Sequence, residues 1–75
     1  KLVKREGYAI DDEENELGIR CVAAPIYNEV GSVVAAISIS GPAFRLTKKL
    51  IHETLKKEVM ETALKISQKM GFRHR

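Results

Sequence analysis

Three stretches in the first half of the chain carry the apolar and small residues typical of β-strands. The first stretch, Tyr8-Ala9-Ile10, is short, and the other two are Ile19–Tyr27 and Ser32–Ser40. In Ser32–Ser40 the residues on both faces of the strand are apolar or small. The segment Asn28–Gly31 has the composition of a tight turn, since glycine readily takes a positive φ. The pattern predicts an antiparallel hairpin in which Ser32–Ser40 is a central strand covered on both faces.

The second half of the chain has a helical period. Thr47 suits an N-cap and Gly71 suits the position just beyond a helix C-terminus. Apolar residues between them recur every three or four positions, which predicts a long amphipathic helix. They are Ile51, Leu55, Val59, Ala63, Ile66 and Met70. The tail 72–75 is expected to fray.

The remaining segments are predicted from their local chemistry. Residues 1–6 followed by Gly7 suit the last turn of a helix, with bases near its C-terminal end. Residues 11–16 form a polar connector whose acidic side chains should be solvated. The predicted fold class is therefore α+β, an antiparallel sheet of about three strands, including the hairpin, followed by one long C-terminal helix. One helix covers only one sheet face, so the other face requires either a preceding portion of the protein or a second copy.

Composition narrows the possibilities further. A chain of 75 residues, 44% hydrophobic and 31% charged, is one small domain at most. It has no apolar run near the ~20 residues that span a bilayer, and its single cysteine, Cys21, cannot form an internal disulfide. These features favour a cytoplasmic protein that binds no membrane. The chain begins with Lys1 rather than with a methionine, and it has no signal-peptide pattern. We therefore expect it to be a piece of a longer protein.

The net charge of +3 is concentrated in the last third, where residues 48–75 carry eight bases and three acids. Such a segment is either a nucleic-acid surface or the solvated face of a helix. The interleaved glutamates Glu53, Glu58 and Glu61 favour the solvated helix.

Candidate chemistry is sparse. Ser38 and Ser40 lie two apart and so share a face of their strand, about 7 Å from each other. Their hydroxyls can donate to the carboxylate of a small acid, or they can bond to nearby backbone, which spacing alone favours. A thiol enzyme would need Cys21 beside His52 or His74, and no feature of the sequence brings them together. No metal or cofactor motif is present in the sequence.

Four sequence blocks in order resemble the C-terminal region of IclR-type bacterial transcription regulators. They are Gly7-Tyr8-Ala9-Ile10-Asp11-Asp12-Glu13-Glu14, Gly18-Ile19-Arg20-Cys21-Val22-Ala23-Ala24-Pro25, Val34-Ala35-Ala36-Ile37-Ser38-Ile39-Ser40-Gly41-Pro42 and Arg45-Leu46-Thr47. The resemblance covers about residues 5–71. It implies that residues 1–75 are the C-terminal portion of a GAF-like effector-binding domain.

The resemblance also implies function. Such regulators bind DNA through an N-terminal winged helix-turn-helix domain, sense small organic acids and assemble as dimers or tetramers. Positions matching Asp11, Cys21, Ser38 and Ser40 contribute to the ligand pocket, which makes ligand contact by the serines the favoured interpretation. Asp11 would orient a ligand hydroxyl or, with Cys21, help hold a metal. We expect no enzymatic activity and no cofactor. The alternative is a purely structural, oligomerising fragment with no ligand site of its own.

Overall fold

The computed structural model describes residues 3–5, by their backbone only, and residues 7–73. Four strands form one antiparallel sheet in the order β1-β2-β3-β4. The strands are β1 (Val3–Arg5), β2 (Tyr8–Asp12), β3 (Ile19–Tyr27) and β4 (Val33–Pro42). A long helix follows them, which confirms the predicted α+β class of an antiparallel sheet with one C-terminal helix.

The predicted hairpin is formed by β3 and β4. Its turn is held by the Asn28 side chain, whose Oδ1 accepts from the N–H groups of Val30 and Ser32 at 3.0 Å each. Gly31 has a φ of +81°, which explains why glycine is at that position. A bulge at Ile26/Tyr27 interrupts the register beside the turn. The predicted turn is confirmed. It forms here because the side chain of Asn28 and the backbone of Gly31 both favour it.

The prediction of a helical turn over residues 1–6 was wrong for residues 3–5, the part of it that the structure describes. Val3–Arg5 is a strand that pairs antiparallel with β2, with Val3 opposite Ile10. Gly7 does have a positive φ of +87°, but it serves the connection between two strands rather than a helix end. The edge of β2 offers these residues backbone hydrogen bonds, which the local preference for a helix end did not take into account.

The placement of Ser32–Ser40 was also wrong. All of it except Ser32 belongs to β4, which lies at the edge of the sheet, and its residues are exposed or half-buried rather than buried. Val33 and Val34 are each 50% exposed. The two inner strands of the sheet are β2 and β3, and residues 22–24 of β3 are all buried. The apolar composition of both faces of β4 therefore does not indicate an inner strand. It indicates apolar surface that nothing among the described residues covers.

The long helix runs through three consecutive segments and is called here the C-terminal helix. It consists of α1 (Lys48–Leu50), a π-helical stretch (Ile51–Leu55) and α2 (Lys56–Lys69). Thr47 is the N-cap as predicted, and its Oγ1 accepts from the Leu50 N–H at 3.1 Å. Gly71 closes the other end with a φ of +95°, and Phe72 N–H reaches back to the Ser67 carbonyl at 3.0 Å. This pattern is a Schellman motif.

The core lies between one face of the sheet and the C-terminal helix. Its buried residues come from alternate positions of β3 and from the predicted apolar stripe of the helix, namely Val22, Ala24, Ile26, Ile51, Val59 and Ala63. Leu55 and Ile66 pack against this cluster, whereas Met70 is 48% exposed. The stripe prediction is thus confirmed over all but its last turn.

Ser67 is a core residue that the apolar pattern did not include. It is completely buried, its Oγ donates to the Ala63 carbonyl at 2.8 Å, and it accepts the Tyr27 N–H at 2.9 Å. The hydroxyl thereby joins the helix to β3 at the bulge. Nearby, the Phe72 ring stacks on Tyr27 with centroids 5.0 Å apart, so the predicted fraying was wrong for Phe72. His74 and Arg75 lie outside the described residues.

Replacing Ser67 by alanine should lower the free energy of unfolding by about 1–3 kcal/mol, because a buried acceptor for the Tyr27 N–H is lost. Urea unfolding followed by circular dichroism measures the change. Gln68→Ala, at the next and exposed helix position, is the control and should alter stability by less than about 0.5 kcal/mol. Equal stability of Ser67→Ala and the control would show that the hydroxyl does not stabilise the fold.

Candidate functional site

The sheet register brings the predicted site residues together. Asp11 on β2 lies opposite Cys21 on β3, and Cys21 lies opposite Ser40 on β4. Neighbouring strands are about 4.8 Å apart, so these three positions form a continuous row across the sheet. In the next row on the same face, Ser38 lies opposite Ala23. All four predicted residues therefore share one sheet face, which we call the polar row face.

This face points away from the C-terminal helix. Val22 is fully buried beneath the helix, and successive strand residues point to opposite sides, so Cys21 and Ala23 point the other way. Small residues border the serines, since Ala9 lies opposite Ala23 and Ala36 lies opposite Pro25. The polar row face therefore carries short side chains, and a molecule bound on it would lie close to the backbone of the sheet.

The polar row face is open in this chain. Ser38 and Ser40 are exposed, and Cys21 is half-buried. Among the described residues, neither serine hydroxyl makes a hydrogen bond, so the backbone-bonded alternative for the two serines is not observed. A cavity of about 600 Å³ lies elsewhere, between β3 and the helix, where Ala24, Met60 and Leu64 are among its lining residues.

Asp11 organises the loop that follows β2. It is 8% exposed, and its two oxygens accept from the Glu14 N–H at 2.9 Å and from the Asn15 side-chain amide at 2.6 Å. Burial alone would raise the pKa of Asp11, but these hydrogen bonds outweigh it and hold the pKa below the ordinary 3.8. Asp11 is thus an ionised carboxylate at one end of the row. The prediction that the acidic side chains of residues 11–16 are solvated was wrong for Asp11.

Arg20 was not identified as a site residue from the sequence, although its side chain makes more hydrogen bonds than that of any predicted site residue. Its guanidinium bonds to Asp12 at 2.8 Å and Glu13 at 3.4 Å, and to the carbonyls of Leu46 at 2.8 Å and Ala43 at 3.2 Å. The bond from Arg20 holds the pKa of Asp12 below its usual value. One signal was available, since Arg20 is a charged residue on the same strand face as the core residues of β3.

The thiol-enzyme arrangement is not present in the described part of the chain. Cys21 faces away from the helix, whereas His52 is an exposed residue of the helix on the other side of the sheet. His74 lies outside the described residues. Within residues 7–73, no three His, Cys, Asp or Glu side chains approach closely enough to hold a metal ion together. A joint metal site of Asp11 and Cys21 therefore gains no third ligand from these residues.

Removing the Asn15 amide should raise the pKa of Asp11 towards its ordinary value. In the Asn15→Ala variant the carboxylate loses its 2.6 Å donor, which a ¹³C NMR titration of the carboxyl carbons would detect. A lowered pKa in the folded state stabilises the fold above pH 3.8, and this contribution is lost as the pH falls through the lowered value. The stability deficit of Asn15→Ala should therefore be present at neutral pH and vanish in stronger acid.

Leu17→Ala is a suitable control for this measurement, because Leu17 lies in the same loop and is 89% exposed. It should leave the titration of Asp11 unchanged. A wild-type Asp11 that titrates at or above 3.8 would contradict the hydrogen-bonded arrangement.

Comparison with known proteins places these features in a family. Residues 1–68 match the family model described as bacterial transcriptional regulator IclR C-terminal. The transcriptional repressor AllR of Klebsiella pneumoniae is 51% identical over 68 residues, which are 89% of this chain and 24% of that protein. The chain thus spans about a quarter of the length of the curated relatives it matches. In the part of the chain that the structure describes, the helices lack the length and apolar character that a membrane span requires.

Solved structures give the same result. The IclR protein of Thermotoga maritima is similar with a TM-score of 0.82 and 47% identity, covering 88% of this chain and 26% of that one. The inducer-binding domain of PobR from Acinetobacter, solved with 3-hydroxybenzoic acid, has a TM-score of 0.76 over 83% of this chain and 35% of that one. At 24% identity it shows a shared fold only. The match over residues 1–68 establishes that this chain belongs to the IclR family of bacterial transcriptional regulators, within their C-terminal region, and not to a family of enzymes.

Proposed function

We propose that this chain is the C-terminal portion of an effector-binding domain, and that its polar row face binds a small organic acid that modulates operator binding by the intact regulator. The observation that carries the proposal is the register. It aligns Ser40 with Cys21 and Asp11 across three strands and places Ser38 in the adjoining row. The two exposed serines, the half-buried Cys21 and the carboxylate of Asp11 at the end of the row support a binding surface rather than a core.

The chemistry of the face favours an acid with a second polar group. Ser38 and Ser40 are exposed hydroxyls about 7 Å apart, and either can donate to a carboxylate. Asp11, at the opposite end of the row, is ionised and repels a carboxylate, but it can accept from a hydroxyl. The ligand carboxylate is therefore expected at β4, with its hydroxyl or other donor near β2. Cys21 lies between them as part of the wall.

The remainder of the site is expected from elsewhere in the protein. The polar row face has no covering layer among the described residues, and β4 leaves one edge unpaired. A small-molecule site buries most of its ligand, so a further layer must cover this face in the functional protein. We propose that preceding parts of the effector-binding domain provide this layer. A separate DNA-binding domain would then read the operator, and the intact regulator would form dimers or tetramers.

Regulation follows from differential affinity. An acid that binds one arrangement of the oligomer more tightly shifts the population towards it, and operator affinity changes with that population. Hydroxyl groups on β4 are suited to this role, because the unpaired edge of β4 can take a different neighbour in each arrangement of the oligomer. Ligand contact on β4 would therefore bias the packing of the sheet against the rest of the regulator.

A structural, oligomerising role is the second candidate. It is favoured by the exposed apolar positions of β4, where Val33 and Val34 are half exposed, since an unpaired apolar edge invites pairing with another chain. In this case Ser38 and Ser40 would contact protein rather than a ligand. The two candidates differ in whether an organic acid stabilises the domain.

A thermal-shift screen of the complete effector-binding domain against small hydroxy acids, with 3-hydroxybenzoate as one probe, tests the proposal. We expect a stabilising acid for the wild type and an affinity about tenfold weaker for Ser38→Ala or Ser40→Ala, since each loses a hydrogen bond to a charged group. Ser32→Ala is the matched control, because Ser32 is an exposed serine outside β4.

The outcomes separate the candidates. An acid that stabilises the wild type and both serine variants equally would show that the hydroxyls are not ligand groups. Absence of any stabilising acid, together with association that depends on Val33 and Val34, would favour the structural role. The 75-residue chain alone should give no shift, because its polar row face is uncovered.

A further inference from the structure

The Arg20 side chain joins three parts of the molecule that are distant in sequence. Its Nε donates to Asp12 at the end of β2, and one terminal nitrogen lies 3.4 Å from Glu13 in the acidic loop. The other terminal nitrogen donates to the carbonyls of Ala43 and Leu46, directly before the N-cap of the C-terminal helix. The side chain is only 12% exposed, so water does not substitute for these bonds.

We propose that Arg20 is a positioning residue that couples the acidic loop 13–18 to the start of the C-terminal helix. Its part in ligand sensing rests on the function proposed above. Asp12 adjoins Asp11 in β2, and residues 43–46 follow Ser40 along the chain, so Arg20, on the helix side of the sheet, links the segments next to both ends of the polar row. A ligand that moves Asp11 relative to Ser40 then also moves the helix start.

The chemistry requires arginine at this position. A guanidinium is planar and presents five N–H donors in a fixed fork, so it can bond two carboxylates and two carbonyls at once. A lysine ammonium is a compact charge and cannot reach acceptors on both sides. Arg20→Lys should therefore keep an ion pair with Asp12 while losing the carbonyls of Ala43 and Leu46.

Two other links connect the same segments and must be separated from Arg20. The Ala43 N–H donates to the Gly18 carbonyl at 2.7 Å, and Lys48 Nζ lies 3.5 Å from Asp12. The Lys48 side chain is 72% exposed, so its pair with Asp12 is expected to contribute little. Arg20 is the link that is shielded from solvent and bonds to several partners.

Amide hydrogen exchange of the 75-residue chain, measured by NMR without ligand, tests the coupling. The reporters are the Glu14 and Gly18 N–H groups in the acidic loop and the Leu50 N–H at the helix start, each bonded to a side chain. In Arg20→Lys, both regions should exchange faster by about tenfold or more, the factor expected from losing a hydrogen bond to a charged group. Acceleration in only one region, or in neither, overturns the proposal.

Matched variants isolate the role of Arg20. Arg45→Lys makes the same change at an exposed arginine that lies over Phe44, and Lys48→Gln removes the exposed pair with Asp12. Neither should accelerate both regions. If either control reproduces the Arg20→Lys pattern, coupling through Arg20 is refuted.

A measurement on the wild type remains informative if Arg20→Lys does not fold. The Thr47 amide adjoins the Leu46 carbonyl, so its chemical shift should follow the titration of Asp12, and should continue to do so in Lys48→Gln. A Thr47 shift that is independent of Asp12 would refute the coupling. In the complete domain, failure of every acid to bind would remove the proposed function while leaving the exchange result intact.

Discussion

Burial of alternate β3 residues beneath the C-terminal helix is the constraint on which the rest of the structure depends. Val22, Ala24 and Ile26 are 7% exposed or less and pack against Ile51, Val59 and Ala63. Strand residues alternate between faces, so a shift of one residue would bring Cys21 and Ala23 under the helix. The hydrophobic contact therefore also decides which side chains remain available on the other face. The polar row face is the opposite side of the same strands whose other side forms the core.

Polar groups complete what apolar packing leaves undetermined. Ser67 joins the helix to the end of β3, and Arg20 joins the loop after β2 to the segment before the helix. Both are shielded from water, and both bond to backbone groups that packing alone would leave without these partners. Arg20 fixes the start of the helix against the sheet, and Ser67 fixes its C-terminal part. The helix is thus positioned at two places by hydrogen bonds and between them by side-chain packing.

The uncovered surfaces of the molecule relate directly to the proposed function. The polar row face is open, and one edge of β4 is unpaired within the described residues. In the proposed site a further layer of the protein encloses the ligand. The contacts that enclose the ligand then also hold this layer on the sheet, so ligand binding and packing of the layer are linked. In the proposed function the ligand site and the surface for further packing are adjacent. A small acid bound between them would stabilise one arrangement of the whole.

Local patterns predicted those elements whose preferences are satisfied within a few residues. The Asn28 turn, the Thr47 cap, the Gly71 end and the apolar stripe of the helix all depend on neighbours along the chain, and all were predicted. Alternation also predicted that Ser38 and Ser40 share a face. Their placement with Cys21 and Asp11 as ligand groups came from the family resemblance rather than from spacing.

Tertiary structure decided the remainder. Val3–Arg5 became a strand because β2 offered a free edge, and Ser32–Ser40 lies at the sheet edge because no further strand is present among the described residues. The contacts of Arg20 join residues up to 26 positions apart, which no local pattern can register. The sequence by itself therefore determined the secondary structure that depends on local hydrogen bonds and periodicity. Only the folded chain determined which strands lie inside the sheet and at its edges, and which long-range polar contacts form, since these depend on partners that come together in space.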